Sequence, residues 1–505
     1  MSKTNDSLVW TRRAFVKTST TAAASALLPL GFGQLASAQS AFDFYISPTG
    51  SDNNPGTMAS PWAITALNSR RSTYAGRRVG LMDGTYATRS LAAYAGGYSP
   101  ALGIAPGSSG SPTIVEAVNP RMAIIDDAGG SAARAVIGSL DDTTGHFTLR
   151  NLKVRGARQM CIHIQRTSGR GVGIKVEGCE VYDQSYGSPD ITPGIFLQAL
   201  DDAEITNCYF HHLTNTAQAA SVAGILMYGC RRTNINRCTF ESTVNTAIHD
   251  KYAGGSPRYD QQETRVSQCY FVGNRNALWG FDNKDQTGPP PSNPPYGPYI
   301  IENNVFDNVG AALTNPGAFS AAAPLIFRNN TLYATSGTRE GPNLHTWMAG
   351  CEPSYYNNIW YFSGASWGET RAVVVSVNGS GSALMDVLDY NCYGPGAVQW
   401  QTQTGYGYPY LNGGSNYVPR TSASAWQSAT GGDRAGRTLF ATDPRFAMTG
   451  SNAERFKLGT GSPCLNAGRV GGLSSGATRH MGAWDGVVTQ IGFYTGPVPR
   501  APVVT

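Results

Sequence analysis

Nine hexapeptides in the middle of the chain decide the fold: LRNLKV (Leu149–Val154), VEGCEV (Val176–Val181), ITNCYF (Ile205–Phe210), INRCTF (Ile235–Phe240), VSQCYF (Val266–Phe271), IENNVF (Ile301–Phe306), FRNNTL (Phe327–Leu332), YYNNIW (Tyr355–Trp360) and LDYNCY (Leu388–Tyr393). Most copies read as an aliphatic residue, a polar one, an Asn or small polar residue, an Asn or Cys, any residue, then a large apolar one. Their starts fall 26 to 35 residues apart. A short strand signal at that interval predicts a solenoid, in which each copy buries its apolar side chains only against its neighbours.

Composition agrees. Of 505 residues, 60 are Gly and 29 Pro, and only 14% are charged, which disfavours long surface helices and charge-driven disorder. Many short strands joined by frequent turns fit better. A solenoid grows along one axis, so the length does not call for several domains.

Outside the repeats, residues 1–38 read as a targeting segment. Arg12-Arg13-Ala14-Phe15-Val16-Lys17 precedes a modest apolar run, Ala22–Leu30, and Ala36-Ser37-Ala38 offers a small-residue cleavage site. The pattern resembles a twin-arginine (Tat) export signal. The apolar run is too short to anchor the chain in a bilayer, so a periplasmic or extracellular protein with no membrane span is expected. Without this segment the net charge falls from +5 to about +2, because four cations (Lys3, Arg12, Arg13, Lys17) and one anion (Asp6) leave. That balance gives no whole-molecule reason to bind nucleic acid.

Nine cysteines remain to be placed. Cys179, Cys208, Cys238 and Cys269 share one repeat position and hand it over to Asn304, Asn330 and Asn358. A column of small apolar thiols filling an inward position is the expected reading, ahead of a disulfide framework or a metal site.

The opening Ser47-Pro48-Thr49-Gly50-Ser51-Asp52-Asn53-Asn54-Pro55-Gly56-Thr57, with Ser60-Pro61-Trp62 and Asp83-Gly84-Thr85-Tyr86, resembles the first coil and cap of exported right-handed parallel β-helix proteins of the pectate-lyase-like superfamily. Asp443-Pro444-Arg445-Phe446, Ser462-Pro463-Cys464 and Met481-Gly482-Ala483-Trp484 resemble the closing segment of the same proteins. The resemblance implies an all-β chain: a single right-handed parallel β-helix over 39–400, with 401–505 as last coils and closing segment of the same domain, acting as a monomer.

A second strand follows each repeat, and five align by eye: Ile162–Gln165, Ile195–Gln198, Ile225–Tyr228, Ile248–Lys251 and Leu278–Phe281. With the first residue of each pointing inward, strand alternation leaves His163, Phe196, Leu226, His249 and Trp279 in one outward column, and Gln165, Gln198, Tyr228, Lys251 and Phe281 in the next. Rings and amides on one face suit a polysaccharide, so Phe196, Gln198, Tyr228, Trp279 and Lys284 are expected to bind it. Insertions at 253–263 and 285–298 flank that face, as loops that break a solenoid's period do around binding sites.

The densest polar cluster is His249-Asp250-Lys251-Tyr252, with Asp282-Asn283-Lys284-Asp285 one coil on. Elimination on a uronate needs a base, an acid for the leaving oxygen and positive charge at the carboxylate. Lys251 is the expected base, His249 or Tyr252 the acid, and Asp250, Asp282 and Asp285 candidate ligands of a Ca²⁺. A narrower resemblance, to polysaccharide lyase family 6, implies Lys251 as base, whereas that family's Arg-His-Gly motif has no match at Phe281–Lys284. The expected function is a lyase on an acidic polysaccharide. Glycoside hydrolysis by two of the carboxylates, and non-catalytic glycan adhesion, are the alternatives.

Overall fold

The computed structural model describes residues 42–493, apart from 98, 129–132, 187–191, 216–221, 242–243, 252–262, 281–297, 315–324, 336–337, 340–342, 345–353, 363–365, 368–372, 378–386, 396–399, 405–416, 435, 451 and 470–478. Residues 1–38, expected from the sequence to be a targeting segment, therefore lie outside the described residues. The chain winds as a parallel β-helix whose coils contribute to sheets of twelve, eleven and eight strands.

All nine hexapeptides pair in one unbroken register. Their first residues, Leu149, Val176, Ile205, Ile235, Val266, Ile301, Phe327, Tyr355 and Leu388, form one inward column of the twelve-stranded sheet. Their sixth residues, from Val154 through Phe210 and Phe306 to Tyr393, form the matching column of the eleven-stranded sheet. The hexapeptide is thus a corner, with one strand before it and one after.

What turns the corner is the third residue. Asn151, Asn207, Arg237, Gln268, Asn303, Asn329, Asn357 and Tyr390 all have φ between 52° and 60°, the left-handed region that Asn tolerates best after Gly and bulky residues seldom enter. The fourth residue then points into the lumen. Cys179, Cys208, Cys238 and Cys269 are buried free thiols; Cys208 lies 3.5 Å from the carbonyl of Val176 and Cys238 lies 3.6 Å from that of Ile205. From Asn304 onward the column becomes an amide ladder. Asn304 Nδ2 donates to Asn330 Oδ1 (3.1 Å), Asn330 to Asn358 (3.2 Å) and Asn358 to Asn391 (3.2 Å). Beside it Phe210, Phe240, Phe271 and Phe306 stack at 4.6, 5.3 and 4.9 Å between centroids. Each fully buried ring contributes roughly 1.5–3 kcal/mol by leaving water.

The fifth residue faces out, and its chemistry changes along the axis. Glu180 and Tyr209 give way to Thr239, Tyr270, Val305, Thr331, Ile359 and Cys392. The second group is buried because the closing segment lies over it: Ala483 N donates to Thr331 Oγ1 (2.9 Å) and Phe493 N to Thr239 Oγ1 (2.8 Å).

At the other end, a short cap closes the lumen. Trp62 is buried and stacks on Phe44 at 4.3 Å. Two helices, Ala66–Ser69 and Arg71–Tyr74, cover the edge strand Leu102–Gly103. Asn68 donates to Ala101 O and accepts from Gly103 N, while Tyr74 OH donates to Gly103 O and accepts from Ala105 N. The edge's polar groups are therefore matched by cap side chains. Among the described residues no helix is long and apolar enough to cross a membrane.

Candidate functional site

The eight-stranded sheet carries the candidate site. Its strands Met160–Arg166, Thr192–Gln198, Val222–Tyr228, Thr246–Lys251 and Asn276–Gly280 lie side by side. The register pairs His163 with Phe196, Phe196 with Leu226, Leu226 with His249, and His249 with Trp279. Beside that column run Gln165, Gln198, Tyr228 and Lys251. The alignment expected from sequence is thus met pair by pair, through Trp279 and Lys251.

Burial divides the two columns. Phe196, Gln198, Tyr228, His249 and Trp279 are half-buried, as are Gln165 and the neighbouring turn, whereas His163 and Leu226 are 2% and 3% exposed. The rings form a row: His163 and Phe196 lie 5.1 Å apart, Phe196 and Tyr228 meet edge-on at 5.2 Å, and His249 and Trp279 lie 5.9 Å apart. His163 Nε2 is 3.2 Å from Gln165 Oε1, which couples the two columns. Such spacings suit aromatic pairs and leave rings and amides along one ledge.

Asp250 departs from expectation. Strand alternation puts it on the lumen side with Met227 and Gly280 as register partners, and it is fully buried. Its Oδ2 accepts a hydrogen bond from Thr264 Oγ1 at 2.9 Å. A carboxylate so held cannot share a cation with groups on the outer ledge, so Asp250 does not fit the calcium site expected from sequence. Among the described residues no group of three or more His, Cys, Asp or Glu side chains is placed to hold a metal ion. Tyr252, Asp282, Lys284 and Asp285, with both insertions for nearly their whole length, lie outside the described residues. Lys251 is described as the end of its strand, opposite Tyr228.

Charges line the turns that follow these strands. Arg170 bonds Asp201 (2.5 Å) and donates to the carbonyls of Leu200 (2.9 Å) and Gly229 (2.8 Å). Arg232 Nε donates to Asp202 (2.6 Å) and its Nη2 lies 3.4 Å from Asp201. Burial lowers the basicity of Arg170 despite Asp201, while the hydrogen bond with Asp202 strengthens that of Arg232. Asp201 and Asp202 thus anchor these cations.

One cluster had no local signal in the sequence. Tyr94 and Arg71, from the cap region, lie over Gly103 on the outer side of the sheet, where a Cβ would come within 2.7 Å of either. The Arg71 guanidinium sits 4.8 Å from the Tyr94 ring centroid and its Nη2 donates to Asp141 Oδ2 at 2.9 Å. Tyr94 OH accepts from Leu140 N (3.0 Å) and donates to Asp141 (3.2 Å). Burial works against ionisation of Asp141, but bonds from Thr143, the charge of Arg71 and Tyr94 OH hold its carboxyl below the usual range.

Comparison with known proteins bears on the scaffold. A family model described as a right-handed β-helix region matches residues 139–359. No curated protein sequence matches the chain significantly. The crystal structure of pectate lyase Pel9A aligns with a TM-score of 0.52 at 16% identity, covering 88% of this chain and 96% of that one. A structure named rhamnogalacturonan lyase aligns at 0.38 and 17%, covering 65% and 84%. A mannuronic acid specific polysaccharide family 6 lyase from human gut microbiota aligns at 0.37 and 11%, covering 73% and 92%. The first likeness shows the fold, and the winding is right-handed.

Proposed function

We propose that this right-handed parallel β-helix, pectate-lyase-like in fold, is an enzyme that cleaves an acidic polysaccharide by β-elimination after Tat export to the periplasm or beyond the cell. The observation that carries the reading is the register of the outer ledge. Aromatic rings and amides (Phe196, Gln198, Tyr228) run in step along successive coils and lead to Lys251 and His249. A glycan laid along the axis would meet one such group per coil, about 5 Å apart. The ring faces would take the sugar faces and the amides the hydroxyls.

In this reading Lys251 removes the proton on the carbon next to the uronate carboxylate. That electron pair forms the new double bond as the glycosyl oxygen leaves, and His249 or Tyr252 returns a proton to it. Arg170 and Arg232, bound to Asp201 and Asp202, frame the ledge with fixed charge. Asp282 and Asp285 are the carboxylates left for a Ca²⁺, and no step is derived through it.

Incubation with pectate, alginate and chondroitin, with and without EDTA, tests the proposal. The expected result is the ultraviolet absorbance of an unsaturated uronate on one of the three, lost in Lys251→Ala while the fold persists. New reducing ends without that absorbance would indicate hydrolysis. Binding with neither product would favour the adhesive reading.

A further inference from the structure

The closing segment touches the last coil through a pair of cysteines. Cys392 occupies the fifth, outward position of the ninth hexapeptide, in register with Ile359. Cys464 reaches it from the closing segment, and both are fully buried in one cluster with Ile359 and Met481. The two thiols share this cluster, where Cys392 Sγ also lies 3.7 Å from Thr442 O. Around them the segment is pinned: Met481 N donates to Cys464 O (3.0 Å) and Gly482 N to Asn357 O (2.7 Å).

The thiol column inside the helix offers similar proximity but not the same freedom. Cys179, Cys208, Cys238 and Cys269 stand on adjacent parallel coils, where strand spacing holds neighbouring side chains about 4.8 Å apart. A disulfide needs its Cβ atoms nearer, about 3.8 Å. Closing that gap would mean breaking sheet hydrogen bonds on both coils. No strand pairing joins Cys464 to Cys392, so only a loop must adjust.

We propose that Cys392 and Cys464 form a disulfide that locks the closing segment to the coils, with a small-molecule disulfide as the oxidant class. One thiolate attacks a sulfur of the oxidant and releases a thiol. The second thiolate then attacks the mixed disulfide and releases the other. Two protein thiols and one small disulfide give one protein disulfide and two small thiols. The bond with Cys464 and burial push the Cys392 thiol well above its usual range, so the closed form is inert. Exchange therefore proceeds through local opening of the segment.

The experiment uses the full chain, held with oxidised glutathione in one arm and refolded from denaturant in a glutathione redox buffer in the other. Both are then alkylated in denaturant without reductant and mapped by peptide mass spectrometry. The expected result is a Cys392–Cys464 linked peptide pair, with the remaining cysteines alkylated. The thermal midpoint should rise by several degrees and fall back on reduction. Cys464→Ser should leave Cys392 alkylated and remove the reduction-sensitive part of the midpoint. Nine alkylated thiols in both arms, or a bridge within the Cys179–Cys269 column instead, would overturn the proposal.

Discussion

Asn391 Nδ2 donates to Asp433 Oδ1 at 3.0 Å, and at that bond the amide ladder of the lumen ends on a carboxylate. Asp433 is fully buried and takes three further donors: Trp426 Nε1 (2.8 Å), Tyr393 OH (2.8 Å) and Thr438 Oγ1 (2.9 Å). Burial nevertheless outweighs them and raises its carboxyl above the usual range. A carboxyl raised in the folded state contributes stability that is full in acid and is lost as pH rises through the raised value.

Asp433→Asn turns an acceptor into a donor facing Asn391 or Thr438, which should cost about 1–3 kcal/mol. The deficit should be largest near pH 4 and shrink toward neutrality, as the native carboxylate ionises and gives up its own advantage. Thermal midpoints of the two proteins across that range check it. A deficit that widens toward neutral pH would contradict the assignment.

The two halves of the lumen column should respond differently to loss of polarity. Asn330 donates to Ile301 O (2.9 Å) and accepts from both the backbone and side-chain amides of Asn304 (3.1 Å each). Asn330→Leu orphans these groups and should cost about 2–4 kcal/mol. Cys238→Ala removes one buried sulfur and weak bonds to carbonyls, at roughly 1 kcal/mol. Urea midpoints should rank them in that order.

On the outer ledge, Phe196→Ala deletes the ring between His163 and Tyr228. Oligosaccharide affinity should fall several-fold, about 1 kcal/mol, with a smaller loss of stability than a fully buried ring would give, because Phe196 is half-buried. Titration calorimetry with a uronate oligosaccharide reads the affinity, and an unchanged value would move the substrate off this face.

Asp141 supplies an acid-side test at the other end of the sheet. Its carboxyl is held below the usual range, so the stability it lends is present above the ordinary carboxylate pKa and is lost as pH falls through the depressed one. Because the Arg71–Asp141 pair is partly exposed, Asp141→Asn should cost about 0.5–1 kcal/mol at neutral pH. The difference should vanish in strong acid, which chemical unfolding at paired pH values would show.

Most of the winding could be read from the hexapeptides, because a corner of two inward apolar residues around one left-handed residue leaves a fixed spacing in the text. The first coils were harder to read. Val79 and Val115 extend the same inward column without any such hexapeptide, since Gly80 and Glu116 lead into differently built turns. The outer ledge was legible from strand alternation, and the same alternation places Asp250 inside beside Ile248. Its carboxylate had suggested a ligand, whereas its position had already ruled out the outer face. Tyr94 and Arg71 reach the ledge from a cap excursion with no repeat to align against. The way the closing segment runs back over Ile359, Thr331 and Thr239 is likewise set by tertiary packing alone.

The cap bonds made by Asn68 and Tyr74 have a consequence for the molecule in bulk. A stack of coils whose terminal rung kept its amides and carbonyls open would be a template, on which a second molecule could add as the next turn and a third after it. Filling the Leu102–Gly103 edge with one amide and one phenol removes one of the open edges such growth would use. A variant lacking both side chains should tend toward end-to-end fibres that grow with protein concentration.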